Sequence, residues 1–251
     1  MLLEGKNAVV YGGGGSIGGA IARAFAREGA WVFLAGRTLT TLDAVADEIR
    51  SAGGAAETAE VDALDERAVD AHADAVAERA GSVDICLSVI SHRSVHGTPL
   101  AEMPIDDVMD EVMTSVRTMF LTSRAASRHM IRQGSGVILA FGGSGDPMRD
   151  YYIGGTQIAF EAVEAMRRQL AAELGPHGVR VVTLRTGGVP EALPEGFEGR
   201  ERIVETIVAP TMLGRAATLE DVGHVAAFVA SDRARTMTAA TANISCGALV
   251  D

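Results

Sequence analysis

A glycine-rich turn between a short apolar run and a helical pattern constrains this chain more than any other feature. The apolar run Asn7 to Tyr11 leads into Gly-Gly-Gly-Gly-Ser-Ile-Gly, and a helix-like pattern follows from Ile17 to Glu28. Glycines allow a tight turn and a close approach to a pyrophosphate, and a helix N-terminus attracts anions. The N-terminal segment therefore predicts a dinucleotide site. Its predicted contacts are Gly12, Gly15, Ser16, Ile17 and Gly18.

Apolar strand-like runs alternate with amphipathic stretches along the whole chain. The strand-like runs are Ala8–Tyr11, Trp31–Ala35, Ala59–Val61, Ile85–Ile90, Val137–Phe141, Arg180–Leu184 and Ala242–Ser245. The helical patterns include Thr41–Ala52, Glu66–Ala80, Asp106–Arg132 and Ile158–Leu174. Continuous apolar strands separated by helices are typical of a parallel sheet covered on both faces. We predict an α/β fold, a single-domain Rossmann-type doubly wound sheet of about seven parallel strands with helices on both faces.

The chain length of 251 residues fits one such domain. No repeat, low-complexity segment or linker divides residues 1–251. The stretch Pro190 to Arg202 is polar and irregular, with two prolines, two glycines and four glutamates. Such a segment fits a loop or short helix beside a ligand better than a core element. We therefore predict a substrate-side flap over residues 190–210.

Composition argues against several classes of protein. The net charge of −11 disfavours binding to nucleic acid, which needs a basic surface. No apolar run reaches the length of about 18 residues that a membrane span needs, and the N-terminus does not read as a signal peptide. Cys86 and Cys246 lack the spacing of a disulfide framework, which favours a cytoplasmic location. No His, Cys, Asp or Glu spacing suggests a metal site.

The end of the second predicted strand indicates which dinucleotide is bound. In such folds an acidic residue at this point binds a ribose 2′-hydroxyl, whereas a nearby arginine accommodates a 2′-phosphate. Here the strand ends in Ala35-Gly36-Arg37, without an acidic residue. We therefore predict NADP(H) rather than NAD(H), with Arg37 at the 2′-phosphate. A solvated surface cation is the alternative interpretation of Arg37.

Other strand ends supply the remaining predicted cofactor contacts. Asp62 follows the third strand, where it can accept a hydrogen bond from the adenine amino group. Alternatively, Asp62 caps the helix that begins near Asp65. A turn that begins at Thr186 follows the sixth strand, where its backbone can meet the nicotinamide carboxamide. The further predicted contacts are Ala63, Ser88, Val89, Ile90, Thr186, Gly187 and Val189.

These residues resemble the short-chain dehydrogenase/reductase family over essentially the whole chain. The family's Thr-Gly-x-x-x-Gly-Ile-Gly motif aligns with Tyr11 to Gly18, where Ser16 replaces the middle glycine, and Asp62 matches the adenine-contacting Asp. Glu161 to Leu174 resembles the family's fifth helix, and Met212 to Asp232 resembles its C-terminal region. The resemblance implies an oxidoreductase that acts on a small-molecule substrate. It also implies a homotetramer or homodimer, because such proteins assemble through their fourth and fifth helices.

By this alignment the catalytic tetrad of the family is changed at every position. The Asn-Asn-Ala-Gly segment falls on Ser88 to Ser91, the helix-four Asn on Ser115 and the Ser on Gly143. The Tyr and Lys of Tyr-x-x-x-Lys fall on Thr156 and Phe160. In the family mechanism a lysine cation favours the phenolate of a tyrosine whose reference pKa is about 10. Phe160 offers no cation, so the usual carbonyl reduction is not inherited residue by residue.

A second resemblance, to enoyl reductases of the divergent short-chain class, directs attention to two tyrosines. Those enzymes also carry Ser-Ile, as Ser16 and Ile17 do here, and they place their tyrosine farther upstream of the lysine. Ile153 occupies that position, and Tyr152 directly precedes it. Tyr152 is therefore our first candidate proton donor, and Tyr151 is the second. Both rings can instead line a pocket or a subunit contact.

Two more residues are candidates for the chemistry. Ser144 lies beside the position of the family's Ser and can bind the substrate, or it can be a plain turn residue. His92 follows the fourth strand and suits acid–base work, or it is an exposed loop residue.

The leading hypothesis is an atypical NADP(H)-dependent oxidoreductase that acts on an enone, imine or ketone, with a proton from Tyr152 or solvent. The alternative is a non-redox activity on the same scaffold, such as a cyclase, dehydratase or isomerase, or a catalytically silent nucleotide-binding protein.

Overall fold

The fold is a single parallel sheet with helices on both faces. This computed structural model describes residues 1–90, 94–142, 152–194, 196 and 199–250. The strands are β1 Asn7–Tyr11, β2 Trp31–Gly36, β3 Ala55–Glu60, β4 Ile85–Ser88, β5 Gly136–Gly142, β6 Val179–Arg185 and β7 Ala240–Asn243. The helices are α1 Ser16–Arg27, α2 Leu39–Ser51, α3 Glu66–Ala80, α4 Ile105–Gln133, α5 Thr156–Leu174, α6 Arg200–Val208 and α7 Leu219–Ala230. The predicted fold class is confirmed.

The strand order creates a crevice at the middle of the sheet. The seven strands lie in the order β3-β2-β1-β4-β5-β6-β7, and each pair is parallel. The chain therefore builds one half of the sheet outward from β1 and then returns to build the other half from β4. At such a switch point the crossovers leave in opposite directions, which opens a crevice at the carboxyl ends of β1 and β4.

Two hydrophobic cores cover the two faces of the sheet. Val10 points into the first core, which includes Phe25 of α1 and Val222 of α7. Val9 points into the second core, which includes Met119 of α4 and residues of α3 and α5. Alternate residues of one strand serve opposite faces, so both faces of β1 are apolar. This double burial explains why the strands appear in the sequence as unbroken apolar runs.

The third strand is the main departure from the predicted elements. The sequence predicts it at Ala59–Val61, whereas β3 spans Ala55–Glu60. It lies at the edge of the sheet, where polar residues such as Glu57 and Thr58 can face solvent. The Thr58 hydroxyl donates to the Asp43 carboxylate of α2 at 2.7 Å. An edge strand thus lacks the apolar run by which the central strands are recognised.

Residues 190–210 contain a short 3₁₀ turn, Pro190–Ala192, and then helix α6. The Glu191 carboxylate accepts a hydrogen bond at 2.7 Å from the backbone N–H of Leu219, at the start of α7. The side chain of Ile207 packs against the turn at Gly188. The segment therefore rests on the carboxyl edge of the sheet, and its role as a flap stays a prediction.

Within the described residues, no helix has the length and apolar character to cross a membrane.

Candidate active site

Backbone atoms pack so closely around the glycine turn that only glycine fits at two of its positions. Gly12 has a φ of +86°, and its N–H donates to the Ala35 carbonyl at 2.8 Å. A Cβ on Gly12 would lie 2.2 Å from the carbonyl oxygen of Val89, and a Cβ on Gly18 would lie 2.2 Å from the carbonyl oxygen of Gly12. Gly15 caps α1 without a side chain. The amides of the first helical turn are therefore left to a ligand or to water.

A cavity of about 270 Å³ opens in front of this turn and reaches across the ends of β2 and β3. The predicted cofactor contacts that line it are Gly12, Gly15, Arg37, Asp62, Ala63 and Ile90. Residues that the sequence analysis did not predict as cofactor contacts complete the wall, and they are Gly14, Gly36, Thr38, Thr41, Leu42, Val61, Leu64, Thr114 and Thr118. Thr114 and Thr118 are four apart on α4, which puts both on one helix face. Their spacing is the one sequence signal that could have indicated them.

Arg37 and Asp62 stand at the outer end of this cavity. Arg37 is exposed and follows the last residue of β2. The Asp62 carboxylate accepts from the backbone N–H of Leu64 at 3.0 Å, whereas Asp65 caps α3 by accepting from Arg67 and Ala68. The alternative interpretation of Asp62 as the helix cap is therefore wrong. Asp62 is exposed and is one of the residues that line the cavity.

A second, more apolar cavity of about 220 Å³ adjoins the first, with Ile90 and Thr118 common to both walls. Predicted contacts Ile17, Ser88 and Val89 line it from α1 and β4. From the helices on the opposite side it is lined by Ser115, Met119, Phe160 and Val163, and from β5 by Phe141. The structure thus brings Ser115 of α4 and Phe160 of α5 into one cavity, as their alignment with the tetrad predicts. Ser16 and Gly18 lie in the first turn of α1, behind these walls.

A polar cluster lies one helical turn closer to the carboxyl edge than Ser115 and Phe160. Glu111 is fully buried, and one of its carboxylate oxygens, Oε1, accepts from the hydroxyls of Thr156 at 2.6 Å and Ser94 at 2.9 Å. His96 Nε2 lies 3.2 Å from the Thr156 hydroxyl oxygen. The sequence analysis missed Ser94, His96 and Glu111. Asp106, Asp107 and Asp110 also lie on the start of α4, so nothing in the sequence singles out Glu111.

Of the remaining predicted catalytic residues, Tyr152 alone lies within the described part of the chain. Tyr152 precedes α5, its side chain is about half exposed, and its backbone carbonyl accepts from the Gly97 N–H at 2.7 Å. This bond ties the segment before α5 to the segment after β4. Outside the described residues lie Tyr151, Ser144, His92 and the tetrad position Gly143.

The turn after β6 meets the end of β5. The Thr186 N–H donates to the Gly142 carbonyl at 3.4 Å, and Val189 is buried. Gly187 packs closely against Ser245 and Ala248 of the C-terminal segment. These predicted carboxamide contacts lie at the same edge of the sheet as the two cavities but are not among the residues that line them.

Tyr11, at the family's Thr position, supports the turn from below. Its hydroxyl lies 3.2 Å from Nδ1 of His72 on α3, and the rings meet edge to face. Burial raises the pKa of Tyr11 well above its ordinary value and lowers the pKa of His72 to about 4. Burial also raises the pKa of the Cys86 thiol to about 12. Neutral buried groups of this kind hold β1 against α3 and do not reach the cavities.

The described part of the chain contains no group of three or more His, Cys, Asp and Glu residues placed to hold a metal ion. The site offers instead backbone amides at a helix N-terminus, an arginine, an aspartate and a buried glutamate bonded to hydroxyls. This combination of hydrogen-bond donors and acceptors is expected for a phosphate-bearing dinucleotide beside a small organic ligand.

Comparison with known proteins shows relatives over nearly the whole chain. The family described as enoyl-(acyl carrier protein) reductase matches residues 13–248. Galactitol 2-dehydrogenase (L-tagatose-forming) of Cereibacter sphaeroides is 32% identical over 98% of this chain and 95% of its own. Meso-2,3-butanediol dehydrogenase of Serratia marcescens is 30% identical over 99% of this chain and 96% of its own.

A solved structure shares the whole architecture. The short-chain type dehydrogenase/reductase from Mycobacterium marinum superposes with a TM-score of 0.85 at 27% identity, covering 98% of this chain and 96% of that one. The match therefore extends over both halves of the sheet, including the glycine turn and the C-terminal strand. The chain belongs to the short-chain dehydrogenase/reductase superfamily and is an oxidoreductase of that type.

Proposed function

We propose that the protein is an NADP(H)-dependent oxidoreductase that acts on the carbonyl group, or the corresponding imine or enone, of a small organic substrate. The observation that carries the proposal is the cavity shared by the glycine turn, Arg37 and Asp62. Arg37 puts a cation where a 2′-phosphate would lie, and the end of β2 carries no carboxylate to bind a free 2′-hydroxyl. The bound nicotinamide would supply the hydride chemistry.

The substrate class is supported by the neighbouring cavity and by the relatives. The cavity next to the glycine turn is mostly apolar and small, with Phe141 and Phe160 in its wall. Relatives named galactitol and butanediol dehydrogenases act on small alcohols. A small hydroxy or carbonyl compound beside a nicotinamide would fit such a space.

We also propose that the protein works without the family's usual tetrad. In the sequence alignment Ser115, Thr156 and Phe160 fall on three of its positions, and none of them is a phenol or an amine. Positioning of cofactor and substrate accounts for much of a hydride-transfer rate, so loss of the tyrosine–lysine pair need not abolish the reaction. Tyr152 and solvent stay the proton sources predicted from the sequence. A different route is proposed below.

The test separates binding from chemistry. Purified protein is titrated with NADPH and with NADH by nicotinamide fluorescence, and oxidation of each is then followed with panels of ketones, enones and imines. We expect tighter binding of NADPH and oxidation with at least one substrate class. Tight binding with no oxidation across the panels would refute the reductase, whereas failure to bind either nucleotide would refute the cofactor assignment.

We further propose that the chain forms a homodimer or homotetramer through α4 and α5. Several apolar side chains on these helices are exposed in the single chain, namely Met109, Met113, Phe120 and Ile158. Contiguous exposed apolar side chains of this kind are typical of protein interfaces. Sedimentation of the purified protein should give the mass of a dimer or tetramer, and Phe120→Glu should shift it towards the monomer. A wild-type monomer would contradict the proposal.

The cytoplasmic location expected from the sequence stays a prediction.

A further inference from the structure

We propose that Glu111 is the proton acceptor and donor of this site, and that it exchanges its proton with the substrate oxygen through the hydroxyl of Thr156. The inference rests on the proposed oxidoreductase function and deepens it. It assigns Thr156 as the catalytic residue that touches the reacting oxygen. Glu111 acts behind it, and His96 links the pair to solvent.

The position of the pair follows from the two helices that carry it. Glu111 is four residues before Ser115 on α4, and Thr156 is four residues before Phe160 on α5. Residues four apart share a helix face, so Glu111 and Thr156 continue the wall that Ser115 and Phe160 form in the apolar cavity. Because α5 starts after β5, its first residue lies nearest the carboxyl edge of the sheet. That edge is where ligands bind in open parallel sheets.

The hydrogen bonds give the cluster a direction. Thr156 donates its single hydroxyl proton to Oε1 of Glu111 at 2.6 Å, so its lone pairs are left to accept. Nε2 of His96, 3.2 Å away, is placed to donate to that oxygen in the tautomer that carries its proton on Nε2. The Ser94 hydroxyl donates to the same Oε1 at 2.9 Å. The bonds therefore form a continuous chain from the exposed imidazole to the buried carboxylate.

Glu111 has the geometry of a general base. Its side chain is fully buried, and its Oε1 accepts from the hydroxyls of Ser94 and Thr156. A carboxylate within hydrogen-bond reach of the hydroxyl whose proton it takes meets the geometric requirement for acid–base catalysis.

The chain of bonds also overcomes the weakness of threonine as an acid. An isolated aliphatic hydroxyl ionises far less readily than a phenol, so Thr156 could not replace a tyrosine alone. When it receives one proton as it gives up another, no alkoxide forms. Thr156 thus acts as a relay and needs no neighbouring lysine cation. This explains how Phe160 can occupy the lysine position.

The step balances in both directions. In alcohol oxidation the C–H bond breaks and its hydride passes to the oxidised nicotinamide, which is reduced as the alcohol becomes a carbonyl. The alcohol O–H proton moves to the Thr156 oxygen while the Thr156 proton moves to Oε1 of Glu111. Glu111 then returns its proton to Thr156 while Thr156 passes its own to Nε2 of His96, which accepts it in the tautomer that carries its proton on Nδ1, and the imidazolium releases a proton to solvent. Carbonyl reduction by the reduced nicotinamide follows the same path in reverse.

Two isosteric substitutions test the relay. Thr156→Val removes the relayed proton and Glu111→Gln removes its acceptor, and each should lower kcat by about 10²- to 10⁴-fold, the usual contribution of general acid–base catalysis. The affinity for NADPH should stay within about twofold because neither residue lines the cofactor cavity. Thr156→Ser restores the hydroxyl and should keep kcat within about tenfold of wild type. The double variant should be no slower than the slower single variant, because both residues serve one chain of bonds.

Thr183→Val is the matched control. Thr183 is also buried and donates its hydroxyl to a buried glutamate, Glu164 on α5, but it belongs to the interior between α5 and β6. Removal of this hydroxyl should lower stability and leave kcat per folded molecule within about twofold of wild type. A similar loss of kcat in Thr183→Val and Thr156→Val would show that general loosening of α5, and not the relay, slows the reaction.

The outcomes distinguish the two levels of the proposal. Wild-type protein that oxidises no NADPH with any substrate overturns the proposed function and the relay together. Wild-type turnover with folded Thr156→Val and Glu111→Gln variants within about threefold of it overturns the relay alone. If those variants do not fold, wild-type rates in mixtures of H₂O and D₂O decide the question. Two protons in flight give a bowed dependence on deuterium content, and a linear dependence overturns the relay.

Discussion

The two halves of the carboxyl edge differ in how they are built. On the nucleotide side, the glycine turn and the ends of β2 and β3 supply most of the cavity wall, and the closest contacts are between backbone atoms around Gly12 and Gly18. On the chemical side, Ser94, Glu111 and Thr156 come from three separate segments and meet through side-chain hydrogen bonds. Backbone geometry admits few substitutions, whereas a side-chain cluster can be rebuilt from other residues. This difference would allow one half to keep a family pattern while the other departs from it, as we propose for this protein.

The largest effect is expected when a single methyl group is added to the glycine turn that lines the nucleotide cavity. In Gly18→Ala the added Cβ would lie 2.2 Å from the Gly12 carbonyl oxygen, so the turn and α1 must separate. We expect a loss of about 2–4 kcal/mol in the free energy of unfolding and a loss of NADPH binding. Denaturant unfolding and fluorescence titration measure both quantities.

Gly175→Ala is the control for that change. Gly175 has a helical φ of −54°, and a Cβ there has nothing within 4 Å. Its stability should stay within about 0.5 kcal/mol of wild type. Equal stability of Gly18→Ala and Gly175→Ala would show that the turn yields easily and is not the rigid part of the site.

Acid should lower the free energy of unfolding through His72, which contacts Tyr11 below the glycine turn. Its pKa is lowered to about 4 in the folded protein, so between about pH 6.5 and 4 the unfolded chain binds a proton that the folded chain does not. Stability from this group is complete above pH 6.5 and is lost as the pH falls, by about 3 kcal/mol in all. Unfolding of wild type and His72→Phe across this range should show a shallower pH dependence in the variant. Equal slopes would contradict the assigned burial of His72.

Arg37 tests which nucleotide the first half selects. Arg37→Ala should weaken NADPH binding by about 10- to 100-fold, because a charge-assisted contact to phosphate is lost, and should change NADH binding little. Arg27→Ala removes a comparable exposed cation at the end of α1, outside the cavity, and should affect neither. An equal loss for NADPH and NADH in Arg37→Ala would exclude the 2′-phosphate contact.

The smallest effect is expected for Tyr152, which competes with the relay as the candidate proton donor. Because the relay supplies the proton, Tyr152→Phe should lower kcat by less than about fivefold. A tyrosine donor would instead require a loss of about 100-fold or more. Steady-state rates of Tyr152→Phe beside those of Thr156→Val separate the two routes. A large loss in the former and none in the latter would return the proton to Tyr152.

Sequence reasoning succeeded where local pattern and backbone geometry coincide. The parallel sheet followed from unbroken apolar runs such as Ile85 to Ile90, and the glycine turn followed from its four glycines. Arg37 and Asp62 were singled out because they occur next to strand ends, and both line the cavity in front of the glycine turn, while their contacts to a cofactor stay predictions. Each of them follows one strand, so its place at the edge of the sheet can be predicted from that strand alone.

It failed where several elements must be combined. Glu111 became notable only once α4 and α5 were placed side by side, because its partner Thr156 lies 45 residues away. The edge strand β3 was misplaced because solvent exposure removes the apolar pattern. Tyr152 was selected by a spacing rule, and its role as proton donor stays a prediction.

The most direct test follows a single turnover of bound NADPH in wild type and Thr156→Val side by side. The account predicts equal NADPH affinities, within about twofold, and a hydride-transfer step about 100-fold slower in the variant with a carbonyl substrate. Such a result would show a retained nucleotide half and a rebuilt chemical half in one experiment. Equal single-turnover rates in the two proteins would contradict the relay, and a joint loss of binding and rate would contradict the separation of the two halves.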